Sequence, residues 1–132
     1  MSRVTRSARS LAVLGLVTLT GTLVVASPAQ ADTSRSACFN AVGTRTSPNG
    51  VWTIPNVYLR QGSTGICVKE LQEDLGAFGL TDYEWGNGDF VDGKFGPRTD
   101  SALRRIQADY NLSADGVAGP LTWQLLISHT TD

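Results

Sequence analysis

The chain has 132 residues, 41% hydrophobic and 17% charged, with 11 basic against 12 acidic side chains and a formal net charge of −1. That balance offers no cationic surface to a phosphate backbone, so neither nucleic acid nor an anionic membrane is an expected partner. The length suits one small domain with a modest core.

Met1–Ser10 carries Arg3, Arg6 and Arg9 and no acid, Leu11–Val25 is uncharged and mostly apolar, and small residues follow at Ala29 and Ala31. This is the layout of a secretory signal peptide over residues 1–31, cut after Ala31. The apolar run is shorter than the ~20 residues of a spanning helix, so an anchor is not expected. The basic region holds no Arg-Arg pair, which favours the general secretion route, and Asp32 rather than a cysteine follows the cut. Loss of the three arginines leaves the mature chain more acidic than the whole. A secreted, extracellular protein with no membrane association after cleavage is expected.

Residues 32–58 are rich in Ser, Thr, Asn, Gly and Pro without a sustained apolar period, and are expected to form an irregular arm. Within it, Val51–Leu59 is a candidate extended segment anchored by Trp52, Ile54, Val57 and Leu59. The two cysteines, Cys38 and Cys67, are expected to pair in an exported protein and staple the arm to the next element. A metal site would need more ligands than these cysteines and the single His129 supply.

From Gly62 the pattern turns helical. Val68, Leu71, Leu75 and Phe78 recur at helical spacing, with Ser63 or Thr64 as a candidate cap and Gly79 as a stop. Thr81–Val91 is a polar connection with three aromatics, Tyr83, Trp85 and Phe90. Then "DGKFGPRTDSAL", beginning at Asp92, repeats as "DGVAGPLTWQLL", beginning at Asp115. In each copy Asp-Gly makes a turn and Gly-Pro opens a helix, because proline at the first helical position loses no hydrogen bond. Thr99, Ala102, Leu103, Ile106 and Tyr110 form the inner face of the first repeat helix, which Asn111 can end. Thr122, Leu125 and Leu126 do so in the second, with Trp123 beside them. Gln72 and Gln107 are expected to hydrogen-bond the Asp-Gly turns. The expected fold is all-α, a small three-helix bundle over residues 59–128, with residues 129–132 as a tail.

These residues closely resemble the peptidoglycan-binding domain found at the ends of many bacterial wall hydrolases. The resemblance rests on Gly62, Gly65, Val68, Leu71 and Gln72, then Asp92, Gly93, Phe95, Gly96, Thr99, Ala102 and Gln107, then Leu112, Asp115, Gly116, Gly119, Thr122 and Leu126. It covers Leu59–Ser128 and implies a three-helix bundle of the peptidoglycan-binding-domain type that binds the wall without catalysis. The connection at Thr81–Val91 is longer and more aromatic than the family's short turn, and the irregular, disulfide-tethered N-terminal arm lies outside the common domain.

The residues themselves offer no catalytic constellation. Zinc hydrolases need at least two histidines and an acid, a Cys-His pair needs a free thiol, and Asp82, Glu84, Asp89 and Asp92 sit on a surface loop without an evident cleft. No cofactor is expected. Wall sugars stack on aromatic faces and wall peptides carry carboxylates, which makes Tyr83, Trp85, Phe90, Arg98 and Trp123 the candidate contacts. Phe95, between turn glycines, is expected in the core. The expected ligand is bacterial peptidoglycan, bound by a monomer, with a cell-wall hydrolase as a candidate partner. The competing expectation is an exported interaction or inhibitor protein that uses the same bundle on another exported protein such as a wall hydrolase.

Overall fold

The structure is a computed structural model that describes residues 33–131; the expected signal peptide lies outside the described residues. In chain order the described elements are α1 (Thr33–Val42), β1 (Thr44–Thr46), β2 (Thr53–Pro55), α2 (Ile66–Ala77), α3 (Asp82–Trp85), α4 (Pro97–Asp109) and α5 (Pro120–Thr130). None of these helices is long and apolar enough to cross a membrane.

The bundle is built from α2, α4 and α5. Val68, Leu71, Leu75, Leu103, Trp123 and Leu126 are fully buried where α2 packs on α4 and α5. Burying such side chains contributes about 1.5–3 kcal/mol each, which is what holds short helices that would be marginal alone. All three begin on a glycine (Gly65, Gly96 and Gly119) with no side-chain cap, and proline opens both repeat helices. Ser63 does not cap α2 as expected; its hydroxyl accepts from Arg60 N–H at 3.1 Å and closes the turn one step earlier. Asn111 ends α4 in the left-handed region at φ 61°. There Leu112 N–H reaches Gln107 C=O at 2.8 Å and Asn111 N–H reaches Ala108 C=O at 3.2 Å, a two-bond helix stop.

The all-α expectation is met in part, since the described residues are mostly helical but include a small antiparallel sheet. The arm is not irregular. It folds as α1 followed by the hairpin β1–β2, with Arg45 opposite Ile54. Ser47 and Asn49 knit the hairpin turn, and Asn49 N–H donates to Gln124 Oε1 at 2.8 Å, which fastens it to α5. Ile54 enters the core from β2, and Trp123 donates its indole N–H to Val57 C=O at 3.0 Å. The expected tail is also ordered through Thr131. The α5 helix runs to Thr130, and His129 stacks on Phe78 at 4.0 Å between ring centroids.

Cys38 and Cys67 form a disulfide that joins α1 to α2, with Cα atoms 4.7 Å apart. Next to it lies an ion cluster with no counterpart in the sequence reading. Arg35 Nε donates to Glu70 Oε2 at 2.8 Å and its Nη2 to Asp74 Oδ1 at 3.2 Å. The same guanidinium reaches the hydroxyls of Thr130 and Thr131 at the end of α5, at 2.6 and 2.9 Å. Glu70 and Asp74 are both buried, and Asp74 Oδ2 meets no donor. One guanidinium does not offset two desolvated carboxylates. Burial first, then the neighbouring Glu70 charge, push Asp74 up to about 8 against the pull of Arg35.

A carboxyl whose folded pKa is raised binds its proton more tightly in the native state than in the unfolded chain. Its stabilising effect is therefore complete below the unfolded value near 4 and is lost as pH rises through about 8. Thermal melts should fall in midpoint from pH 5 to pH 9, and Asp74→Asn should flatten that slope. An unchanged slope in the variant would place the titration elsewhere.

Candidate functional site

The geometry of the site starts from the two Asp-Gly turns, each held by a buried glutamine. Gln72 Oε1 accepts from the N–H groups of Asp92 and Gly93 at 2.9 and 2.8 Å. Its Nε2 faces Asp92 Oδ1 at 2.9 Å, Lys94 C=O at 3.1 Å and Thr99 Oγ1 at 3.0 Å. Gln107 repeats the arrangement, accepting from Gly116 N–H at 3.1 Å and facing Asp115 Oδ1, Val117 C=O and Thr122 Oγ1 at 3.0–3.2 Å. Gly93 and Gly116 sit at φ 76° and 72°, where a side chain would strain the backbone. The strand-like entry to α2 then pairs with both turns. Leu59 exchanges hydrogen bonds with Ala118, and Ser63 C=O accepts from Phe95 N–H at 2.9 Å. Phe95 is buried, as its place between turn glycines suggested.

The aromatic connection is equally fixed. Thr81 and Glu84 form a reciprocal cap on α3, Thr81 Oγ1 accepting from Glu84 N–H and Glu84 Oε1 from Thr81 N–H. Glu84 is fully buried, and Ser101 and Arg105 of α4 donate to it. Burial works to raise its pKa, but the bonds from Arg105, the Thr81 N–H and Ser101 outweigh it and hold the carboxyl below its usual range. With Glu84 pinned inward, its neighbours Tyr83 and Trp85 point out and are 59% and 56% exposed. Trp85 forms one wall of a groove of about 450 Å³ whose other walls include Glu73 and Gly76 of α2, Leu80, Asp82 and Phe90.

The five expected contact residues therefore divide. Trp85 is exposed and walls the groove, Tyr83 is exposed beside it without lining it, and Phe90 is buried but contributes to the lining. Arg98 lies across the loop, donating to Asp89 Oδ1 at 2.9 Å and Glu84 C=O at 3.4 Å. Trp123 is not at the surface: it is fully buried with its indole N–H satisfied, so it belongs to the core. Sequence reasoning missed Glu73, Leu80 and Asp82 as groove walls. Leu80 and Asp82 flank the Thr81 cap, and the threonine-to-glutamate spacing there is a cap signature that could have located the short helix. Among the described residues no group of three or more His, Cys, Asp or Glu is placed to hold a metal ion.

These features define a small helical module whose exposed aromatics are presented on a rigid loop. Residues 64–126 match the family described as "Putative peptidoglycan binding domain". The chain is 32% identical over 108 residues to a zinc D-Ala-D-Ala carboxypeptidase of Streptomyces albus G, covering 82% of this chain and 40% of that protein. It is 38% identical over 84 residues to an uncharacterised protein of Kitasatospora aureofaciens, covering 61% of this chain and 67% of that protein. Among solved structures, the SleB N-terminal domain superposes with a TM-score of 0.51 at 37% identity, over 59% of this chain and 99% of that one. The chain belongs to the peptidoglycan-binding-domain family. It spans less than half the length of the carboxypeptidase it matches.

Replacing Gln107 with methionine keeps the volume but leaves the buried Gly116 N–H unpaired, while the Val117 carbonyl keeps the Gly119 N–H and the Thr122 hydroxyl. Each buried polar group left unpaired costs about 1–3 kcal/mol, so the urea midpoint should fall sharply. Gln107→Glu should also be destabilising, because it sets a carboxylate against Asp115 and a carbonyl. If either variant unfolds like the parent, the turn does not depend on this brace.

Proposed function

We propose that this chain is a secreted, non-catalytic module that binds bacterial peptidoglycan through the groove beside Trp85. The observation that carries the reading is the pairing of family membership with the Trp85 indole, held out on a braced loop as one wall of a concave surface, with the Tyr83 phenol exposed on the same loop. An exposed indole and phenol have no role in the core. They offer flat faces to pyranose rings, and such contacts concentrate in grooves with a few polar groups at the rim. Arg98 adds a cation at the same loop for a stem-peptide carboxylate. Binding there requires exchange of the Asp89 partner, an exposed pair that costs little to open.

Secretion rests on the basic and apolar layout of residues 1–31 and is in keeping with the disulfide. The absence of catalysis rests on chemistry. The single histidine is stacked in an aromatic cluster, both cysteines are bonded, the buried acids are engaged by Arg35 and Arg105, and the groove acids Glu73 and Asp82 are exposed to solvent. A separate wall hydrolase is a natural partner, since the relative from Streptomyces albus G is named as a carboxypeptidase.

Sedimentation with purified insoluble peptidoglycan tests the reading. The parent should pellet with the wall and release no soluble fragments. Trp85→Ala should weaken retention several-fold, equivalent to about 1 kcal/mol for one lost stacked ring, with helicity unchanged. Arg98→Ala should weaken it too, with some loosening of the loop. Gly93→Val should instead lose folded protein. Parent-like retention by both binding variants would remove the site from this loop, and release of muropeptides would make the protein an enzyme.

A further inference from the structure

The repeat carries a second consequence, visible in the clefts beside its two turns. A small cleft of about 140 Å³ is lined by Phe90, Asp92, Lys94, Gly96, Pro97, Arg98 and Thr99. A larger one of about 340 Å³ is lined by the repeat equivalents of all seven, Ser113, Asp115, Val117, Gly119, Pro120, Leu121 and Thr122, together with Tyr58, Gln107 and Leu112. The cleft is thus a product of the braced turn, and only the side chains around it differ. Lys94 and Arg98 in the first copy are replaced by Val117 and Leu121 in the second.

Those replacements change what the second cleft can hold. No lysine or arginine lines it and Asp115 does, so it offers a carboxylate no side-chain cation. It does offer apolar walls and an aromatic ring. Leu121 is 55% and Tyr58 58% exposed, an apolar surface that contributes little to the core. The Tyr58 ring lies over Gly119, where a β-carbon would come within 2.9 Å of it, whereas the equivalent face of Gly96 is open. The ring is therefore a placed wall and the second copy has been built up around it.

We propose that the cleft formed by Tyr58, Leu112, Val117, Pro120 and Leu121 is a second ligand site, which takes a neutral N-acetylated sugar of the glycan strand. The sugar face would stack on Tyr58, the acetyl methyl would meet Val117 and Leu121, and Ser113 and Asp115 would receive hydroxyl groups. This rests on the wall-binding function proposed above, but the site shares no lining residue with the groove beside Trp85.

The test is amide chemical-shift mapping of the full mature chain with two probes, the neutral tetrasaccharide of N-acetylglucosamine and a sugar-free stem pentapeptide, alongside sedimentation with whole peptidoglycan. The saccharide should shift Tyr58, Leu112, Val117 and Leu121, and the pentapeptide should not. Leu121→Arg introduces the residue of the first copy at an exposed position and should fold normally. It should weaken saccharide binding roughly three- to tenfold, the range of one stacking or apolar contact. Gly119→Ala carries no backbone strain at φ −106° and should weaken it by displacing the Tyr58 ring. Trp85→Ala should leave these shifts in place. If the parent pellets with peptidoglycan but the saccharide shifts other residues, or the pentapeptide shifts these, the second site is wrong and the wall-binding reading stands. If the parent neither pellets nor responds to the saccharide, both fail.

Discussion

The structure depends on a neutral carboxamide buried at the root of each Asp-Gly turn. A turn that delivers a helix at a fixed angle leaves N–H groups and a carbonyl pointing inward, partly or wholly shielded from water. Glutamine satisfies them because it presents a donor and an acceptor on one flat group at the end of a reach long enough to cross from a neighbouring helix. Glutamate would set two acceptors against the turn's own aspartate, and methionine would offer neither function. Gln72 makes these contacts across twenty residues, with an added bond from the Asp92 N–H, and Gln107 makes them across eight. The brace is therefore a tertiary constraint, indifferent to the length of chain between its ends.

That indifference explains how the long aromatic connection is accommodated. Between Gln72 and Asp92 the chain can loop outward as far as it likes, provided its return to Gln72 is kept. The insertion then needs an anchor of its own, and Glu84 supplies it, buried and held by Ser101 and Arg105 of the helix whose start Gln72 fixes. The arm is tied to α2 by a different charge arrangement. There Arg35 faces two buried acids, and the surplus is resolved by protonation of Asp74 rather than by a second cation. Glu84 of the inserted loop and Asp74 of α2, which faces the arm's Arg35, are thus displaced in opposite directions. Acid weakens the hold on the aromatic loop while base weakens the hold on the arm.

What could be read from the sequence follows the reach of each interaction. The three bundle helices were legible because apolar period, Gly-Pro openings and the Asn111 stop are all local signals. The disulfide was legible from cysteine count and compartment. The arm was not. Thr33–Val42 has no apolar stripe and is held by the Cys38 bond and Arg35, both long-range, while Thr44–Thr46 is fully exposed and joins a sheet only through Thr53–Pro55. The Pro48-Asn49-Gly50 turn was a hairpin signal, obscured by strands only three residues long. Trp123 could not be assigned from its helix alone, because the acceptor that lets its indole be buried lies on Val57, far away in sequence. Arg98 was visible as a helix-start cation, but its engagement with Asp89 depends on how the loop returns.

The duplicated brace also explains why site residues are harder to read than scaffold residues in this chain. Gln, Asp, Gly, Gly, Pro and Thr recur in both copies because each occupies a position that the turn itself dictates. The positions between them are under no such constraint, and there the copies part company: Phe90 against Ser113, Lys94 against Val117, Arg98 against Leu121. One scaffold thus presents a cationic cleft beside one turn and an apolar, tyrosine-walled cleft beside the other. The repeated letters identify the fold, and chemical selectivity has to be sought in the letters that fail to repeat.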